Sequence, residues 1–323
     1  MNERVTSWWS GLPPAAGSAV MATGILSVGL HTSGHEVLSV VALCLAGALW
    51  VLLAVHFAAL AVRDRGQWEA RADTPSALTA VAATTVLGAR LALLGWTVVA
   101  TVLLVLAAAV WPLLLVAVLR HLGRRVPGAA FLVCVATQGL VVLAAVLAPH
   151  IGDWLARAGL VLFALGLLLY ADALNRFDFR QVLTGAGDHW ISGGAMAFSA
   201  LAAAELLDSG VWVGDQRAVL RTTTLVLLGI GLASYVVLMA AEAVRPRLGY
   251  DVRRWATVFP LGMTAAATLS AADSADVAWL DTLGRVLLWI AVAAWLLTAY
   301  GLARSVRAGR ERGNPGAPAV PEL

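Results

Sequence analysis

The chain has 323 residues, of which 60% are hydrophobic and 13% charged, and its mean hydropathy is +0.84. Soluble domains carry roughly 25% charged residues, so this composition excludes an ordinary soluble fold and points to an all-α integral membrane protein. The net charge of +3 sits in short inter-helix loops and makes no case for nucleic acid.

The opening segment, 1–12, lacks a signal peptide's cleavage pattern and reads as a short cytoplasmic N-terminus. Ten apolar stretches follow, at 13–31, 37–61, 75–94, 97–119, 129–148, 155–174, 190–207, 218–241, 255–272 and 279–302. Each is near the ~20 residues that cross a bilayer as a helix. The connections alternate. RDRGQWEAR, RHLGRR, NRFDFR and RPRLGYDVRR follow the second, fourth, sixth and eighth spans, whereas HTSGHE, PHIGD, LDSGVWVGD and SAADSAD lie between the others. The positive-inside rule then places both termini in the cytoplasm of a multi-pass protein of the cell membrane. The transmembrane domain covers 13–303. The tail, 304–323, is basic and then rich in Pro and Gly, a composition expected to be disordered.

Odd spans are rich in small and hydroxyl residues, as in AAGSAVMATGILS and ISGGAMAFSALAAA; even spans are rich in Leu and Val. Small residues permit close backbone approach or line a space, and bulky aliphatics face lipid. The odd spans recur about every 60 residues. The pattern predicts five helical hairpins, with an inner ring of five odd helices around a pore and an outer ring of five even ones. The alternative is a packed bundle whose small residues serve only helix contact.

The ninth span reads WATVFPLGMTAAATLS. Phe259 stands against Pro260, and a proline within a helix deletes a backbone hydrogen bond. Non-helical backbone is tolerated at membrane depth where it faces protein or a water-filled cavity. A ring among Ala, Gly and Thr suits a hydrophobic constriction that gates by dewetting.

VMATGILS in the first span, GDHWISGGAMAFSALAAAE entering the seventh and VFPLGMTAAAT in the ninth resemble the tellurite-resistance/dicarboxylate transporter family. That family includes bacterial tellurite-resistance proteins, fungal malate permeases, sulfite exporters and the plant slow-type anion channels. The resemblance covers the membrane region and leaves out the short tails. It implies a homotrimer with a pore in each subunit, lined by five inner helices and blocked by a phenylalanine on the ninth span. The matching residues are Phe259 for the block and Thr23, Gly24 and Ser27 for the glycine-bearing first span.

Further pore-lining candidates are Thr84, Thr85, Thr137, Gln138 and Ser192, whose donors replace part of an anion's hydration shell; the ordinary reading is that each bonds its own helix backbone. Arg90, near the outer end of an inner span, is a candidate for anion attraction. Arg157, Arg221 and Arg285 lie just inside the outer ends of even spans, where they could form a positive vestibule that concentrates anions; the favoured reading is that they snorkel or pair with Asp153, Asp215 and Asp281. His189 and Trp190 mark the cytoplasmic mouth, with a helix cap and an interfacial belt residue as their ordinary readings. Glu205 is a candidate protonation site. Cys44 and Cys134 read as core residues, and the scattered histidines supply no metal-ligand pair, so no metal or cofactor is expected. The resemblance implies movement of small anions such as C4-dicarboxylates, sulfite, chloride, nitrate or tellurite-type oxyanions. A proton-coupled C4-dicarboxylate carrier is the alternative. A membrane-embedded enzyme would need His, Asp or Glu clustered at one depth, and none is seen.

Overall fold

The computed structural model describes residues 14–247 and 249–312; the segment 1–12 and the end of the tail lie outside them. Ten helices of 15 residues or more run through it: α1 (Gly17–Thr32), α2 (Glu36–Arg63), α3 (Thr79–Leu93), α4 (Thr97–His121), α5 (Leu132–Ile151), α6 (Asp153–Arg176), α7 (Trp190–Asp208), α8 (Asp215–Val244), α9 (Trp255–Ser274) and α10 (Trp279–Arg312). A short helix, Arg65–Ala72, follows α2, and another, Gln181–Thr184, precedes α7.

Eight of these helices are long and apolar enough to cross a membrane by length and composition. The two others are α1, which has only 16 residues, and α9, which is diluted by Gly, Ser and Thr. They are also the helices that need lipid-facing residues least. α9 is buried along nearly its whole length and α1 along most of it. The most apolar windows of α3, α5 and α7 are 72%, 94% and 89% buried, whereas those of α2 and α10 are 17% buried. The alternation in sequence texture is therefore an alternation in burial.

Sharp turns join α1 to α2 and α3 to α4. Gly34 and Gly95 take left-handed φ values of +84° and +82°. Beyond each, a backbone N–H reaches back five residues, His35 to the Leu30 carbonyl (2.8 Å) and Trp96 to the Leu91 carbonyl (3.0 Å). This geometry closes a helix C-terminus and satisfies its orphan carbonyls. The α9–α10 turn repeats it with Asp276 at φ +53° and Val277 bonding the Ala272 carbonyl at 3.0 Å. At the opposite end, Asp64 caps the short helix after α2 by accepting from the Gln67 N–H. A parallel β-bridge from Val126 to Phe177 ties the α4–α5 connection to the α6–α7 connection.

Helix neighbours follow a regular order. α1 packs on α3 and α9, α3 on α5, α5 on α7, and α7 on α9. Each even helix packs on its own hairpin partner and on the following odd helix: α2 on α1 and α3, α4 on α3 and α5, and so on to α10 on α9 and α1. Glycines stand at four of the five odd–odd contacts. An added Cβ at Gly24 would lie 3.0 Å from Val86 Cγ1, at Gly139 2.3 Å from Thr85 Oγ1, at Gly194 2.8 Å from Pro260 Cγ, and at Gly262 2.9 Å from Ile25 Cγ2. Without a hydrophobic force between helices in lipid, such close van der Waals packing is the main source of association.

α10 continues to Arg312, and the Pro- and Gly-rich segment expected to be disordered lies beyond it, outside the described residues. One expectation needs correction. Of the three predicted outer pairs, Arg285–Asp281 forms, at 2.8 Å. Arg221 instead donates to the Ala275 carbonyl at 2.8 Å, satisfying an acceptor at the end of α9.

Candidate functional site

Phe259 is 1% exposed, and Pro260 lies within α9 as the sequence requires. Pro260 faces Gly194 of α7, and Gly262 faces Ile25 of α1, so each side of α9 meets an inner neighbour. The Phe259 ring stands edge-on to Phe198 of α7, with centroids 6.2 Å apart and planes at 66°. Phe198 lines a cavity of about 20 Å³ bounded by α1, α3, α5 and α7, together with Ile25, Val86, Val142 and Glu205. About 10–15 Å³ holds one water. A space of this size holds about one water and no hydrated anion. Glu205 sits on its wall, and its Oε1 accepts from Ser270 of α9 at 2.6 Å.

The hydroxyls singled out from the sequence do not line this cavity. Thr23 Oγ1 donates to the Ala19 carbonyl and accepts from the Trp295 indole of α10 at 2.9 Å. Thr84 repeats the arrangement with the Ala80 carbonyl and Trp50 of α2, at 2.8 Å from the indole. Thr137 does so with the Val133 carbonyl and Trp111 of α4, at 3.0 Å. In each case the even helix of one hairpin donates an indole N–H to the odd helix of the next. Ser27 exchanges hydrogen bonds with Ser39 of α2, and Gln138 donates to the Phe163 carbonyl of α6 at 3.3 Å. Thr85 bonds the Ala82 carbonyl and stands against Gly139; Ser192, half-buried, bonds the His189 carbonyl; Gly24 packs on Val86. These polar groups fasten helices to one another or to their own backbone.

Arg90 is fully buried and held from α2, with Nε donating to Ser39 Oγ at 2.9 Å and Nη2 to Glu36 Oε1 at 2.6 Å. Its charge is matched by a carboxylate, and among the described residues its Nη1 has no partner. At the other end, His189 is 1% exposed with Nε2 3.4 Å from Arg247 Nη2. Burial, then the neighbouring Arg247 guanidinium, push its pKa down from the usual 6.5 to about 4, so it is neutral. Arg247 also donates to the Gly185 carbonyl at 2.8 Å and pairs with Glu242, which Arg254 shares at 2.8 Å. This lattice locks the loop before α7 to α8 and α9. Trp190 is not a belt residue: it is 1% exposed and packs edge-on to Tyr235 of α8.

Sequence reasoning overlooked Phe198, although AMAFSALAAA carries the same signal as the ninth span, a single ring among small residues. It also overlooked Ile25, Val86 and Val142, because an aliphatic in an apolar helix carries no mark of the direction it faces.

Residues 11–303 match the SLAC1 family, described as voltage-dependent anion channel. The chain belongs to this family. No individually curated protein matches it. Membership makes it a multi-pass membrane protein of a family of anion channels and transporters rather than of enzymes, and it agrees with the resemblance drawn from the first, seventh and ninth spans.

Proposed function

We propose that the chain conducts small anions along an axis enclosed by α1, α3, α5, α7 and α9, and that Phe259, backed by Phe198, stops the passage. All ten long helices would cross the membrane, with both termini cytoplasmic. α1 and α9 need no lipid-facing apolarity because their neighbours shield them. The single observation that carries this reading is the closed circuit of odd helices, with Phe259 edge-on to Phe198, which lines a 20 Å³ space among four of them.

The wall of that space is mostly aliphatic, so anions would meet weak sites and not a dedicated fork, which suits passage over capture. Chloride, nitrate, sulfite, C4-dicarboxylates and tellurite-type oxyanions are the candidate substrates, and a homotrimer with one pore per subunit is the assembly that the family resemblance implies. A second reading, proton-coupled dicarboxylate transport, is favoured by one observation: Glu205 is the carboxylate on the cavity wall. Purified protein in liposomes, given gradients of chloride, nitrate, sulfite or malate with and without a pH gradient, tests both. Anion flux indifferent to proton gradient supports the conduit, and flux that requires it and is lost in Glu205→Gln supports the carrier. Liposomes no leakier than protein-free ones to every anion would overturn the reading.

A further inference from the structure

The 20 Å³ space beside Phe198 is graded from one end to the other. Ile25, Val142 and Phe198 are buried. Val28 and Val146, about one turn further along α1 and α5, are half-buried, and Leu93 near the end of α3 is exposed. The space therefore opens where α1, α3, α5 and α7 finish, which is the outer end in the orientation proposed above. Among the described residues, Glu205 is the one charged side chain on this lining, and it is itself half-buried. Ser270 of α9 donates to its Oε1 at 2.6 Å, which orients the carboxylate and leaves its charge in place. The charge that acts on it is Asp208, one turn further along α7 and of the same sign; Asp208 also lies in the field of Asp273 of α9. The arginines near the outer ends do not offset it. Arg90, Arg157, Arg221 and Arg285 are not among the lining residues, and Arg90 and Arg285 are already matched by Glu36 and Asp281.

We propose that Glu205 is a valence filter at the outer mouth of the passage, admitting monoanions and holding back dianions. The energy of an ion in a given potential is proportional to its own charge. A potential that slows a monoanion by some factor therefore slows a dianion by the square of that factor. The aliphatic walls sharpen the effect, because low-dielectric surfaces focus the field of a charge into the space they enclose. They also supply no guanidinium fork that would compensate a second negative charge. The favoured substrates are small, singly charged anions such as chloride, nitrate and hydrogen sulfite, ahead of sulfite and fully ionised dicarboxylates.

The proposal rests on the conduction path proposed above, but the charge at the mouth has a readout that needs no flux. Two experiments test it. The first measures nitrate and malate flux through Phe259→Ala protein in liposomes at alkaline pH, where malate is a dianion. Adding Glu205→Gln should raise nitrate flux about tenfold and malate flux about a hundredfold, the square that removal of one nearby charge demands. Glu205→Asp should keep the original preference for nitrate. Equal rises for the two anions would overturn the proposal, and loss of malate flux would do so in favour of the proton-coupled carrier. The second places a single cysteine at Val28 in a Cys44→Ala, Cys134→Ala background and compares singly negative with singly positive methanethiosulfonates. Glu205→Gln should speed the anionic reagent about tenfold and slow the cationic one by a similar factor, and Glu205→Ala should give the same shift. An unchanged ratio of the two rates would overturn the proposal. If the ratio shifts while no variant conducts, the conduction reading fails and the negative charge at the mouth is upheld.

Discussion

Replacing Phe259 by alanine separates a plug from a packed core residue, because the two roles move different observables. A buried Phe→Ala change in a packed core costs about 3–5 kcal/mol, of which the edge-on contact with Phe198 supplies roughly 0.5–1.5 kcal/mol. With Phe259 only 1% exposed, a purely structural ring should show that full loss in thermal stability and nothing in flux. If the ring closes a passage, the vacated volume merges with the 20 Å³ space beside Phe198 and admits water and ions. Every ~1.4 kcal/mol removed from the barrier raises flux tenfold, so losing a dry constriction worth several kcal/mol predicts a rise of at least about tenfold. The assay is anion efflux from liposomes, normalised to reconstituted protein, alongside the melting temperature. A monodisperse Phe259→Ala protein that melts lower yet conducts no faster would refute the plug.

Other consequences follow from the contacts. Trp50→Phe, Trp111→Phe and Trp295→Phe each remove one indole–threonine bond while leaving the hydroxyl on its own helix, so each should lose about 0.5–1.5 kcal/mol and the losses should nearly add because the three bonds share no residue; altered anion selectivity in any of them would contradict a fastening role. Arg90→Ala should lower the melting temperature more than Arg285→Ala does, since the Arg90 side chain is 0% exposed and that of Arg285 is 47% exposed; equal losses would refute this. The native state holds His189 neutral down to about pH 4 while the unfolded chain protonates it near 6.5. Its contribution is therefore level above pH 6.5 and falls as pH drops towards 4. His189→Gln should flatten that part of the stability profile, and an unchanged slope would contradict it.

Much of the fold could be read from the chain because a bilayer imposes both length and composition. The spans starting at 97, 190, 255 and 279 coincide with the first residues of α4, α7, α9 and α10. Even helices run longer than expected at their ends, where polar and charged residues such as Asp153, Asp215 and Arg176 still take helical turns. The direction of each polar side chain was not legible. Thr23 and Ser27 are one turn apart and so share a face, but in a helix apolar on every side nothing says whether that face meets a lumen or a neighbour. The deciding partner, Trp295, stands 272 positions away. Glycine positions were legible as close contacts, though which helix each would meet was not. Phe259 was recognisable because its size breaks a small-residue pattern, and Phe198 breaks the same pattern one inner helix away.

The most direct measurement is thiol accessibility along the proposed axis. In a Cys44→Ala, Cys134→Ala background, single cysteines at Ile25 and Val142 probe the inner wall and one at Thr23 probes the contact with α10. Each is exposed to a small charged, water-soluble thiol reagent with Phe259 present or replaced by alanine. The account predicts that Ile25→Cys and Val142→Cys react only when Phe259 is alanine and are protected by permeant anions, while Thr23→Cys stays unreactive in both. Equal reactivity at all three positions, or none at the inner two after the ring is removed, would contradict it.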